Sequence, residues 1–196
     1  MKRIALTGGI ACGKSTLAGY LNELGCEVLD ADAVVHAMEA PGGEAVAPIL
    51  AAFGAGVRAE DGGIDRERLG ERVFSDAAAR ERLNGILHPR VRATMERWLN
   101  ESAVRPRVVV VPLLFEIGWD AGWDAVVCVV CPAEEQLRRL RARGLTDVEA
   151  HARINAQLPI EEKRRRASVV VDNTGDRVVL RREALRLMQG FSERST

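Results

Sequence analysis

The sequence predicts an α/β fold, a parallel sheet with helices on both faces. Five short β-branched runs, at 3–7, 26–29, 107–113, 125–131 and 168–172, are apolar almost without interruption. That is the pattern of strands buried on both faces. Helix-like stretches at 15–24, 134–143, 147–156 and 177–189 lie between and after them, and such alternation is what βαβ units produce. Directly after the first run comes a glycine-rich segment that opens a helix, Gly8-Gly9-Ile10-Ala11-Cys12-Gly13-Lys14-Ser15.

Taken in order, the first run and its glycine-rich segment fit G-x-x-x-x-G-K-[ST], with the strand before and the amphipathic helix after that the motif demands. Each residue type has a reason. Glycines allow backbone conformations that turn N–H groups around phosphate oxygens, and the helix start adds the positive end of its dipole. Lys14 has the reach for β- and γ-phosphates, and Ser15 supplies an oxygen to Mg²⁺. The segment is a phosphate-binding loop.

The second run is followed by Asp30-Ala31-Asp32. At the carboxyl end of a strand these carboxylates suit a general base, a metal ligand or a helix N-cap. Between the second and third runs the gap exceeds a single crossover. It is charged and helix-like, and is broken by Pro41-Gly42-Gly43, Gly54-Ala55-Gly56 and Asp61-Gly62-Gly63. We expect a helical insertion at about 33–104, with His88-Pro89 closing it off.

The third run continues into Val111-Pro112-Leu113-Leu114-Phe115-Glu116, where Glu116 is either a solvated loop residue or a site carboxylate. In the helix after the fourth run, Arg139 and Arg143 are four apart and so share a face, suited to phosphate charge. Arg138 and Arg141 suit a solvated side. Thr146-Asp147-Val148-Glu149 is a capping-box pattern that starts another helix after Gly144.

Composition narrows the function. The chain has 196 residues, 47% apolar and 29% charged, with a formal net charge of zero. That is ample for a buried core and gives no electrostatic footprint for nucleic acid or a membrane surface. No run reaches the length of a membrane span, and the N-terminus lacks the apolar length of a signal peptide, so we expect a cytoplasmic protein. Lysine occurs only at Lys2, Lys14 and Lys163, which singles out Lys14. The four cysteines, Cys12, Cys26, Cys128 and Cys131, are too few for a disulfide scaffold. Cys128 and Cys131, three apart on a strand, face opposite sides, so we expect buried free thiols. The apolar helices suit core and interface equally, which leaves oligomeric state open.

With these residues in hand, the sequence resembles the dephospho-CoA kinases over nearly its whole length. The likeness is carried, in the family's order, by Leu6-Thr7-Gly8-Gly9-Ile10 with Gly13-Lys14-Ser15-Thr16 and by Asp30-Ala31-Asp32. Leu87-His88-Pro89 and Val111-Pro112-Leu113-Leu114 with Glu116 come next. Gln136-Leu137-Arg138-Arg139, Ala156-Gln157 and Val171-Asp172-Asn173-Thr174-Gly175 complete it. The resemblance implies a P-loop NTPase core of five parallel strands, a helical acceptor-binding insertion and a helical, mobile lid at about 138–167. It implies ATP and dephospho-CoA as substrates with Mg²⁺.

By the same resemblance Asp32 matches the base that takes the ribose 3′-hydroxyl proton, and Arg139 and Arg143 match lid arginines that meet the phosphates. Gly8, Gly9, Ala11, Cys12, Gly13, Lys14, Ser15 and Thr16 match the ATP loop, and Asn173 and Gly175 the loop beside the adenine. Asp32, His88, Leu113, Leu114 and Glu116 fall where the family lines its acceptor site. Ala11-Cys12 stand where Gly and then Ser or Ala is commoner, which suggests a loop sensitive to oxidation. Ser168 stands where an Asp is typical. A nucleoside monophosphate kinase on the same fold is the near rival, against which the long insertion speaks. A GTPase-type switch would carry an Asn-Lys-x-Asp motif that this sequence lacks.

Overall fold

The computed structural model describes residues 2–74 and 76–193 and divides into two compact units, one of residues 2–30 and 102–193, the other Ala31–Glu101. The first unit carries a five-stranded sheet in the order β2-β3-β1-β4-β5. Its strands are β1 (Arg3–Gly8), β2 (Glu27–Asp30), β3 (Arg107–Val110), β4 (Ala125–Val130) and β5 (Val169–Asp172), and every pairing is parallel. Around it run α1 (Lys14–Glu23), α6 (Ala133–Arg141), α7 (Asp147–Asn155), α8 (Ile160–Arg166) and α9 (Arg177–Glu193).

Burial explains the apolar runs. Ile4, Leu6, Val108, Val110, Val127, Val129 and Val171 form one core with Leu17 and Leu21 of α1 and Leu180, Ala184 and Leu187 of α9. Their alternates Ala5, Thr7, Val109, Val126, Cys128 and Val130 are equally buried, and α8 packs against β1 and β4. Both faces are covered, so neither can be polar. Cys131 joins the α1–α9 core while Cys128 lies one strand step out of phase with it. The cysteines are free and buried, as the spacing implies.

Two boundaries near the site differ from the sequence reading. The run at 107–113 is strand only to Val110, because Pro112 has no N–H for a ladder and the chain turns with Leu114 N donating to Val111 O (3.3 Å). Helix α6 stops at Arg141, leaving Arg143 in the turn beyond it. Gly144, at φ 87°, ends the helix, with Leu145 N bonded back to Leu140 O (3.3 Å), a glycine stop of the usual kind. The capping box at Thr146 and Glu149 forms at the start of α7.

The second unit is helical: α2 (Ala31–Glu39), α3 (Val46–Phe53), a 3₁₀ turn (Ala55–Val57), α4 (Arg66–Phe74) and α5 (Ala77–Asn100). Helices α2, α3 and α4 all pack on α5. The expectation that His88-Pro89 ends the insertion is corrected, since both residues lie inside the 24-residue α5. A mid-helix proline costs about 3 kcal/mol. Here the helix also buries Leu87, Met95 and Leu99, each worth about 1.5–3 kcal/mol, which is enough to carry it through.

Candidate active site

The glycine-rich loop is a turn between β1 and α1, and its shape follows from contacts that only certain residues permit. An ideal Cβ on Gly8 would meet Val129 O of the neighbouring strand at 2.1 Å, so no side chain fits. Gly13 caps α1 in the left-handed region at φ 99°. Ala11 also has positive φ (58°), alone among the described non-glycine residues. That conformation costs an L-residue about 1–2 kcal/mol.

What holds Ala11 there is a set of side chains around the loop. Gln136 Nε2 donates to Ile10 O (2.8 Å), Arg139 Nη1 to Ala11 O (3.1 Å), and Asn173 Nδ2 to Cys12 O (2.8 Å). In a planar trans peptide the following N–H points the opposite way, so pinning three successive carbonyls also fixes the N–H groups of Ala11, Cys12 and Gly13. Gln157 Oε1 accepts from Ile10 N (3.0 Å). Ala11 packs with Leu140 and Ala150, joined by Leu137, Leu145 and Ile154, in a small apolar cluster with α6 and α7. The loop is thereby braced by α6, by the stretch after α7 and by the residue after β5.

Lys14 Nζ donates to Gly8 O (3.1 Å) and Gly9 O (2.8 Å), folded over the loop. Ser15 and Thr16 are exposed in the first turn of α1. Arg139 is thoroughly engaged: besides Ala11 O it reaches Asn173 O (2.9 Å) and pairs with Glu135 (2.7 Å). Glu135, also bidentate to Arg138 at 2.7 and 2.6 Å, is held down to about 2, first by Arg138 and then by Arg139. The shared helical face expected for Arg139 and Arg143 is not formed, because Arg143 is exposed in the turn past α6. Gly175 is exposed between β5 and α9. Ser168 Oγ accepts from Val126 N at 2.8 Å and donates to Val126 O at 3.2 Å.

The segment after β3 divides. Leu113 is exposed, whereas Leu114 has no exposed surface. Leu114 packs in the core. Glu116 is partly buried and paired rather than a solvated loop residue. Its Oε1 accepts from Leu158 N (3.0 Å) and pairs with Lys163 Nζ at 2.7 Å, while Oε2 is buried with no hydrogen-bond partner. Lys163, fully buried, also donates to Pro112 O (3.2 Å). Sequence reasoning gave Lys163 no role, and its one signal was being a lysine in a chain that otherwise uses arginine.

In the helical unit, Asp32 is exposed in the first turn of α2, two residues past the end of β2. His88 is exposed on α5, and desolvation by its surroundings lowers its pKa below the ordinary imidazole value.

Comparison with known proteins adds to this geometry. The family model described as dephospho-CoA kinase matches residues 2–178. The chain is 46% identical to a dephospho-CoA kinase of Anaeromyxobacter dehalogenans over 96% of its own length and 91% of that protein's. It is 44% identical to one of Geobacillus kaustophilus, over 95% and 94%. Among solved structures it is similar to a dephospho-CoA kinase from Campylobacter jejuni, with a TM-score of 0.68, 27% identity and 97% of each chain covered.

Proposed function

We infer that this chain, which belongs to the dephospho-CoA kinase family, moves the γ-phosphate of ATP onto the ribose 3′-hydroxyl of dephospho-CoA, with Asp32 as the base. The observation that carries the reading is the loop of Gly8–Ser15, whose carbonyls at Ile10, Ala11 and Cys12 are all pinned by side chains. A loop so fixed presents N–H donors to phosphate oxygens without reorganising, and preorganisation is where most of the catalytic gain in phosphoryl transfer lies.

In this reading Gly8, Gly9, Ala11, Cys12 and Gly13 cradle the ATP phosphates. Lys14 leaves the Gly8 and Gly9 carbonyls for the β- and γ-phosphates. Thr16, Asn173 and Gly175 border the nucleotide. Asp32 orients the acceptor hydroxyl and takes its proton as the bond to phosphorus forms. His88 and Leu113 meet the acceptor, and Ala31–Glu101 is the acceptor-binding insertion. Arg139 braces the loop, and Arg143, on the turn of a lid spanning about 138–167, closes on the transferring group and excludes water.

Mg²⁺ fits the residues present. Among the described residues no group of three or more His, Cys, Asp or Glu could hold a metal alone. An exposed Ser15 hydroxyl at the start of α1 is the single oxygen ligand that suits an ion held mostly by substrate phosphates. When bound, the ion supplies charge neutralisation on the β- and γ-oxygens. We also propose a cytoplasmic location; no described helix is long and apolar enough to cross a membrane.

The test is ADP release with Mg-ATP and, in turn, dephospho-CoA, AMP, shikimate or no acceptor, with product mass checked for one added phosphate. Release only with dephospho-CoA is expected. Asp32→Asn should lower kcat by about 10²–10⁴, the usual worth of a general base, while ATP affinity stays within about threefold. Near-normal turnover in that variant removes Asp32 from the role.

A further inference from the structure

Among the four cysteines, two meet. Cys12, in the phosphate-binding loop, and Cys131, one residue past β4, bring their sulfurs to 3.3 Å, with the Cys131 S–H donating to Cys12 Sγ. Both side chains are buried, at 0% and 4% exposure. Two cations stand by: Lys14 is two residues on from Cys12, and Arg139 Nη1 is 4.0 Å from Cys131 Sγ. Cys26 and Cys128 are each pushed up to about 11 by burial, the behaviour of inert core thiols. Cys12 goes the other way, down to about 7, through the S–H it accepts from Cys131 and the nearby charges of Lys14 and Arg139, which outweigh burial. Cys131, whose proton makes that bond, is raised. One thiol is thus set to attack and the other to resolve.

We infer that Cys12 and Cys131 form a reversible disulfide when the protein meets a peroxide, and that this bridge disables the phosphate-binding loop. The step balances. The Cys12 thiolate attacks one peroxide oxygen, an S–O bond forms, the O–O bond breaks, and hydroxide leaves and is protonated to water. Cys131 then gives up its proton and attacks the Cys12 sulfur. An S–S bond forms as the S–O bond breaks, and a second water leaves. The two thiols lose two electrons, which reduce the peroxide.

A disulfide is about 2.05 Å long, so the sulfurs must close by about 1.3 Å from their present 3.3 Å. The loop has little slack to give. Cys12 O is held by Asn173 at 2.8 Å, and Ala11 is already left-handed at φ 58°. Cys12 Sγ is packed so tightly on Gly9 that a Cβ there would meet it at 2.8 Å. A misplacement of about 1 Å in a group that positions substrate costs on the order of 10² in rate.

This inference rests on the loop being the ATP site, and its test separates the two. Purified protein is treated with hydrogen peroxide, its free thiols are blocked, and it is digested with trypsin. The expected product is peptide 4–14 joined to peptide 108–138, lighter than the sum by two hydrogens. ADP release with dephospho-CoA should fall at least about tenfold and return with dithiothreitol. Because peptide 108–138 also holds Cys128, C131S and C131A identify the partner. Both should keep the untreated activity and give no joined peptide; peroxide leaves their Cys12 as a sulfenic acid with no thiol to resolve it, which oxidises further, so the activity they lose should not return with dithiothreitol. A joined peptide with activity retained, no joined peptide in the parent protein while its activity falls reversibly, or recovery of the C131S and C131A proteins as complete as that of the parent protein overturns the inference. Untreated protein that releases no ADP would instead count against the kinase assignment.

Discussion

Replacing Lys163 with methionine should be among the most damaging single changes in the first unit, although the polar partners of Lys163, Glu116 and Pro112, lie outside the phosphate-binding loop. Its ammonium is fully buried, 2.7 Å from Glu116 Oε1 and 3.2 Å from Pro112 O. At an effective dielectric near 20 the attraction across 2.7 Å is about 6 kcal/mol, much of it offset by desolvation of the two charges. Lys163→Met keeps the volume but strands the Glu116 carboxylate. Its Oε2 has no hydrogen-bond partner already, and Oε1 would keep only the Leu158 N–H. Breaking one side of such a pair costs about 3–5 kcal/mol. For a domain of this size each kcal/mol lowers Tm by about 2–4 °C, so a fall of about 6–20 °C is expected by circular dichroism at pH 7. Lys163→Met with Glu116→Gln should lose about 1–3 kcal/mol less than the two single changes summed. A single-variant loss under about 1 kcal/mol, or simple additivity, refutes the view that this pair ties α8 to the segment after β3.

Glu135→Gln should destabilise the protein at neutral pH. The folded carboxyl, held near 2, lies below its ordinary 4.5, so its stabilisation is fully present above about 4.5 and is lost as pH falls toward 2. The Tm gap to wild type should therefore close over that window, and a gap constant from pH 6 to 3 would contradict the assignment. Ala11→Gly should relieve about 1–2 kcal/mol of left-handed strain against about 0.5–1 kcal/mol of added chain entropy. The net expectation lies between no change and about 1.5 kcal/mol of gain by urea unfolding, and a clear loss would show that the Ala11 methyl's packing on Leu140 and Ala150 outweighs the strain.

The strands and the loop were legible because both write themselves locally. Burial on two faces forces continuous apolar runs, and a phosphate-binding turn forces glycine where a Cβ would strike Val129 O. What stayed hidden depends on contacts distant in sequence. Lys163 lies beside Arg164, Arg165 and Arg166 in a seven-residue helix, and nothing in that charged string marks the one residue turned into the core. Gln136 and Gln157 form part of the resemblance, but their common target at Ile10, 126 and 147 residues away, is a property of the fold. Arg143 falls outside the expected face because α6 stops at Arg141, two residues short of the 134–143 stretch, and His88-Pro89 does not close the insertion because α5 runs on past it to Asn100.

The same contacts distinguish the three cations assigned to phosphate. Lys14 holds two neutral carbonyls, Gly8 O and Gly9 O. In the proposed reading, exchanging them for charged phosphate oxygens trades ordinary hydrogen bonds for charge-assisted ones about twice as strong, which favours the move of Lys14 to the nucleotide. Arg139 is in the opposite position. Moving it would break bonds to Ala11 O and Asn173 O and its pair with Glu135. It would also release the Ala11 peptide that keeps the loop in its strained form, so the gain at the phosphate would be spent on undoing the site that binds it. Arg143, exposed on a glycine-ended turn, faces no such penalty. In the proposed reading Arg143 is therefore the arginine able to follow charge as it develops, while Arg139 serves by staying where it is.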